Sequence, residues 1–193
     1  MSELLDDIFE GNRRWIEDFE PGDRSARPRR RCAILTCMDA RLEPLAALGL
    51  DPGDAVVVRN AGGRASDDAI RSLVVSCKLL GTREWLVVHH TRCVMTTIDD
   101  WTMGDLLQRS LEEATLDETG WRDSGSGPGT AEGRYVSWLT FSNPEQALVD
   151  DVLRIRNSPM VPPGVAVRGL ILESETGRLR EVEAASRAGR ARE

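Results

Sequence analysis

The chain has 193 residues, 40% of them hydrophobic and 30% charged, with a formal net charge of −7. That acidic balance excludes a general nucleic-acid binder, which needs a basic face to release counterions, and no apolar run approaches the ~20 residues of a membrane span. Four cysteines are too few for a secreted disulfide scaffold, and MSELLDDIFEGNRRW lacks the layout of a signal peptide, so a cytoplasmic protein is expected, folded as one domain over 1–193.

Residues 3–19 carry Leu5, Ile8, Phe9, Trp15, Ile16 and Phe19 at helical spacing, with Asn12 interrupting the stripe. The linker PGDRSARPRRR then cuts this helix off from the rest, which makes 1–22 a helical arm that packs on its own domain or on a partner subunit. The basic run Arg24, Arg27, Arg29, Arg30 and Arg31 reads as a solvated linker. Cys32–Cys37 (CAILTC) and Ala55–Arg59 (AVVVR) are apolar runs of strand length, the second ending in the turn signal Asn60-Ala-Gly-Gly63. Ser66-Asp67-Asp68 caps and charges a helix start. Ile70, Leu73, Val74, Cys77 and Leu80 continue as one stripe, stopped by Gly81. Trp85–His89 is a third strand. A helix is expected over Met103–Ala114, then a flexible loop in WRDSGSGPGTAEG. Another helix opens at Asn143-Pro144, and Val165–Glu173 and Arg178–Val182 read as strands joined by Thr176-Gly177. The tail from 184 to 193 is expected to fray. Strands alternating with helices predict an α/β fold with a mainly parallel sheet flanked by helices.

In open parallel sheets, ligands collect outside the carboxyl ends of the strands. Cys37 and His90 both fall at such ends, and Cys93 follows His90 by three residues. Two thiolates and an imidazole suit zinc, and three protein ligands leave a position open, as catalytic sites do. Cys77 lies on an apolar helix stripe and Cys32 at the start of a strand, so both read as core filler. His89 should face away from His90. Cys37-Met-Asp39-Ala-Arg41 has three residues between Cys and Arg, where a cysteine phosphatase loop needs five.

CAILTCMDAR, VVVRNAGG and HHTRCVM, in that order and spacing, resemble the β-class carbonic anhydrases over roughly residues 30 to 115. The resemblance implies that Cys37, His90 and Cys93 bind one zinc per chain. It implies that Asp39 and Arg41 are the catalytic pair and that Asn60-Ala61-Gly62 lines the site, with backbone N–H groups near Gly62 steadying the forming bicarbonate. It also implies a strand order of 2-1-3-4 plus an edge strand, and a homodimer or larger assembly with the N-terminal helix reaching across. Two positions depart from the family: Val94 stands where glycine is usual, and Arg92 where Asp or a small residue is usual. A β-branched residue at 94 is expected to resist backbone angles open to glycine.

The expected activity is zinc-dependent hydration of carbon dioxide to bicarbonate and a proton. Zinc brings bound water from a pKa of about 15.7 to roughly 7. Asp39 would orient the resulting hydroxide, and Arg41 would keep Asp39 ionised and aimed. Released from Arg41, Asp39 could swing to the fourth zinc position, as the resemblance implies some members do. The alternatives are a carbonyl sulfide or carbon disulfide hydrolase on the same scaffold, and a non-catalytic zinc-holding dimer. Nucleic acid and membrane are not expected partners.

Overall fold

The structure is a computed structural model, describing residues 2–20, 25–123 and 125–192. Its elements in chain order are α1 (Glu3–Glu17), β1 (Cys32–Cys37), α2 (Pro44–Ala47), β2 (Ala55–Asn60), α3 (Asp67–Lys78), β3 (Glu84–His90), α4 (Asp100–Arg109), β4 (Thr115–Asp117), β5 (Gly120–Arg122), α5 (Pro144–Asn157), β6 (Ala166–Leu172), β7 (Leu179–Glu181) and α6 (Glu183–Ala188). Among the described residues no helix is long and apolar enough to cross a membrane.

The main sheet runs β2-β1-β3-β6-β7. The first three junctions are parallel, and β7 is an antiparallel edge strand. This is the expected order, with β6 as the fourth strand of the sheet and β7 as the added edge strand. β1 is buried along its whole length, which is why it reads as an unbroken apolar run rather than an alternating one. One face, with Leu35, Trp85 and Val87, packs against Leu73 of α3 and Leu148, Val152 and Ile155 of α5. Trp85 stays satisfied there because its Nε1 donates to Thr82 Oγ1 at 3.0 Å. The other face, with Ile34 and Val88, forms a smaller cluster with Leu42, Met95 and Leu172 that also contains Cys37 and Cys93. Full burial of each such aliphatic side chain contributes about 1.5–3 kcal/mol. Register brings the strand ends level: Cys37 pairs with Asn60, and Thr36 with Val88.

α1 is capped by Ser2, and none of its residues is buried. Ile8, Phe9, Trp15 and Ile16 are each more than half exposed. An isolated helix of this length is marginal in water, so its apolar stripe calls for a cover that the described residues do not supply. The linker between arm and sheet includes residues 21–24, outside the described residues; beyond them Arg29 pairs with Asp54 at 2.8 Å, and the N–H groups of Arg29 and Arg30 donate to the carbonyls of Gly53 and Asp54. Arg29 and Arg30 are thus tied to the residues that lead into β2, while Arg31 Nε donates to the Gly81 carbonyl.

Three segments differ from expectation. α4 starts earlier and ends at Arg109 rather than Ala114, because Leu111 N–H turns away to the carbonyl of Pro128. The segment read as a loose loop packs: Trp121 sits in the β4–β5 hairpin and donates to Thr97 Oγ1 at 3.1 Å, Thr130 N–H reaches the Leu107 carbonyl, and residues 131–135 form a 3₁₀ turn. The tail expected to fray carries α6, whose Ala185 is fully buried against the core.

Candidate metal centre

β1 delivers Cys37 and β3 delivers His90 at adjacent strand ends, and the turn after β3 returns Cys93 beside them. Among the described residues, Cys37, His90 and Cys93 are the group whose donor atoms converge, all within 4.8 Å of one another and all buried. Two sulfurs bonded to one tetrahedral zinc at ~2.3 Å stand roughly 3.8 Å apart; here Cys37 Sγ and Cys93 Sγ are 3.9 Å apart. His90 supplies an independent sign. Its Nδ1 lies 2.8 Å from the Thr91 carbonyl, which can only accept, so Nδ1 carries the proton and Nε2 presents a lone pair. That Nε2 is buried with no hydrogen-bond partner, a cost a bound cation removes. The residues present therefore fit a zinc ion.

Proton energetics lean the same way. Cys93 beside it is the largest influence pulling the Cys37 thiol down, against burial, with help from His90 and the backbone N–H groups of Asp39 and Gly62. Cys93 is pushed up, first by Cys37 and then by burial. The opposite directions describe one proton shared between two sulfurs, and a divalent cation would favour thiolate at both. Cys32 and Cys77 are buried free thiols outside this group. Cys77 is core.

Asp39 follows the strand end and turns to Arg41. Arg41 Nε and Nη2 donate to Asp39 Oδ1 and Oδ2 at 2.9 and 2.7 Å, and Arg41 N–H donates to Oδ1 at 3.0 Å. These bonds hold the Asp39 carboxyl well below the usual carboxylate range despite partial burial. Asp39 Oδ2 is 3.9 Å from His90 Nε2, beside the donor group while committed to Arg41.

Gly62 is buried in the turn after β2. Its backbone N–H is among the influences that lower the Cys37 pKa. Asn60 closes this turn by exchanging hydrogen bonds with Arg64 at 2.7 Å in both directions. The next residue, Gly63, has φ +68°, and a Cβ there would lie 2.9 Å from Cys37 N and Thr36 C; the turn packs backbone to backbone against the end of β1. Val94 opens a 3₁₀ turn and is not among the residues with positive φ. The strain expected at 94 falls instead on Arg92, at φ 53°.

Several supporting residues carry no local signal. Arg59 donates to the carbonyls of Cys37 and Asp39 at 3.0 and 2.7 Å, pinning the backbone that bears both. His89 is fully buried and faces away from the donor group, with Nε2 3.0 Å from Asp151 Oδ2. Asp151 also accepts from Arg64 Nε at 2.7 Å and from Ala65 N–H at 3.1 Å. Burial would raise its pKa, yet the hydrogen bonds from His89 and Arg64 outweigh burial and lower it.

Comparison with known proteins agrees with this geometry. Residues 32–119 match the family described as carbonic anhydrase. A β-carbonic anhydrase 1 of Mycobacterium tuberculosis is 37% identical over 183 residues, covering 93% of this chain and 98% of that protein. A carbon disulfide hydrolase of Acidithiobacillus thiooxidans is 33% identical over 185 residues, covering 93% and 89%. The crystal structure of a carbonic anhydrase from Streptococcus mutans superposes with a TM-score of 0.78 at 35% identity, covering 94% and 99% of the two chains. With this fold, these paired motifs and near-complete coverage, the chain belongs to the β-carbonic anhydrase family.

Proposed function

We propose that the chain catalyses reversible hydration of carbon dioxide to bicarbonate and a proton, with one zinc ion held by Cys37, His90 and Cys93. The observation that carries this reading is the convergence, among the described residues, of three protein donors beside an aspartate already committed to arginine. When bound, zinc supplies Lewis acidity that makes water a competent nucleophile near neutral pH. The chain's own residues do the rest. Asp39, kept ionised by Arg41, accepts a hydrogen bond from the attacking oxygen and aims its lone pair. Arg59 holds the backbone of Cys37 and Asp39 in place. The Gly62 N–H supports the Cys37 thiolate, and the Asn60–Gly62 turn forms a wall of the site. Among known members of the family is a carbon disulfide hydrolase, which makes carbon disulfide hydrolysis the second reading.

The working assembly is a homodimer or larger, supported by the uncovered apolar stripe of α1, and the compartment is the cytoplasm, supported by four free buried thiols. Stopped-flow hydration of carbon dioxide and hydrolysis of carbon disulfide, run side by side on protein of verified zinc content, decide the substrate. Hydration far above background that vanishes on chelation is expected. Zinc-loaded protein with no hydration at any pH would refute the activity, and turnover of carbon disulfide alone would establish the second reading.

A further inference from the structure

Arg92, one of the two residues that depart from the family pattern, sits on a turn with an unexpected anchor. Thr91 and Arg92 link the donor His90 to the donor Cys93, and their two backbone carbonyls each serve one arm of the site. The Thr91 carbonyl accepts from His90 Nδ1 at 2.8 Å. The Arg92 carbonyl accepts from Arg41 Nη2 at 3.0 Å. The turn is held by one short segment after β6, Ser174-Glu175, which contacts the Thr91 carbonyl and the Thr91 and Arg92 side chains. Ser174 Oγ donates to the Thr91 carbonyl at 2.9 Å, and Ser174 N–H donates to Thr91 Oγ1 at 2.9 Å. The Glu175 carboxylate accepts from Thr91 Oγ1 through Oε2 and pairs with Arg92 Nε through Oε1 at 2.6 Å. These hydrogen bonds and the Arg92 pair lower the Glu175 pKa, the Thr91 bond most of all. A side chain at φ 53° resists that conformation, so the turn needs outside contacts to keep its carbonyls aimed.

We propose that Glu175, with Ser174, is a positioning residue for the metal centre: it clamps the Thr91-Arg92 turn so that one carbonyl fixes the tautomer and direction of His90 while the other fixes Arg41 against Asp39. The inference rests on the proposed metal site. It gives Arg92 a purpose that its place in the motif does not reveal: its side chain reaches Glu175 while its carbonyl holds the catalytic arginine. Partners of ligating histidines are worth on the order of 10-fold to 100-fold in metal affinity or activity. Arg92 is 71% exposed at its side chain and Glu175 35%, which places the Arg92 contribution alone lower, at roughly two- to fivefold.

The test is a double-mutant cycle of Glu175→Ala and Arg92→Ala on the zinc-loaded protein. It reads zinc release to a chelator, carbon dioxide hydration, and the absorption bands of the cobalt(II)-substituted form, whose envelope reports donor geometry. Glu175→Ala is expected to speed zinc release and lower kcat/KM on the order of 10-fold, to alter the cobalt spectrum, and to leave the melting temperature nearly unchanged. Arg92→Ala is expected to have its smaller effect only while Glu175 is present. Unchanged zinc release and an unchanged cobalt spectrum in Glu175→Ala, or fully additive effects of the two substitutions, would overturn the clamp. If the parent protein proves inactive toward carbon dioxide, the proposed activity fails by itself, and zinc release and the cobalt spectrum still decide the clamp.

Discussion

Gly63→Ala separates the cost of an unusual backbone angle from the cost of a blocked approach. Gly63 and Gly49 have nearly the same φ, +68° and +66°, yet a Cβ at Gly63 would lie 2.9 Å from the backbone of Thr36 and Cys37, whereas one at Gly49 meets nothing within 4 Å. Alanine in the left-handed region costs about 1–2 kcal/mol, the whole expected penalty at Gly49. At Gly63 the contact is with backbone, which cannot rotate away, and overpacking adds about 1–3 kcal/mol. The expected totals are therefore about 1–2 kcal/mol for Gly49→Ala and about 2–5 kcal/mol for Gly63→Ala. The contact also bears on Cys37 N, so only Gly63→Ala should loosen zinc. Denaturant unfolding with metal analysis at each step reads both effects. Equal destabilisation of the two variants, with zinc retained equally, would refute the close-approach reasoning.

Asp39→Ala is expected to keep zinc, because Asp39 is outside the converging donor group, and to lose on the order of 10²-fold or more in hydration rate; full turnover in that variant would remove its assigned role. Asp151→Ala strands Arg64 and His89, partners at 2.7 and 3.0 Å inside the protein, and should cost about 3–5 kcal/mol in denaturant unfolding. Asp151 also sets an acid limit. Its folded pKa is below the ordinary value, so the unfolded chain takes up the proton first as pH falls. The stabilisation is complete above the ordinary carboxylate pKa of about 3.9 and is lost as pH drops through the lower folded value. Acid unfolding of Asp151→Asn should lack that component. On α1, Trp15→Glu removes a large apolar contact from the exposed stripe, and sedimentation should show association weakened by about 1.5–3 kcal/mol; an unchanged oligomer would exclude α1 from the interface.

The sheet and its donors were legible because the physics is local. β1, β2 and β3 are short apolar runs bounded by turn residues, and parallel strands place their carboxyl ends together, which brings Cys37 and His90 to one edge. The supporting residues were illegible because their partners are remote: Asp151 lies 62 residues from His89 and Ser174 lies 83 from Thr91, and no periodicity marks either. Segment 121–133 has the composition of a linker, but its contacts with α4 and Thr97 exist only after folding. At Val94 the general rule about glycine was sound; it applied two residues earlier, to Arg92, because the chain reverses there before entering the 3₁₀ turn.

Zinc-edge X-ray absorption on the purified chain reads the donor set itself. One zinc per chain, with two sulfurs at about 2.3 Å and one imidazole nitrogen at about 2.0–2.1 Å, is the predicted result. It should lose one sulfur in Cys37→Ser and keep both in Cys32→Ser. A metal-free protein after expression with ample zinc, or a zinc without sulfur neighbours, would contradict the site built on Cys37, His90 and Cys93.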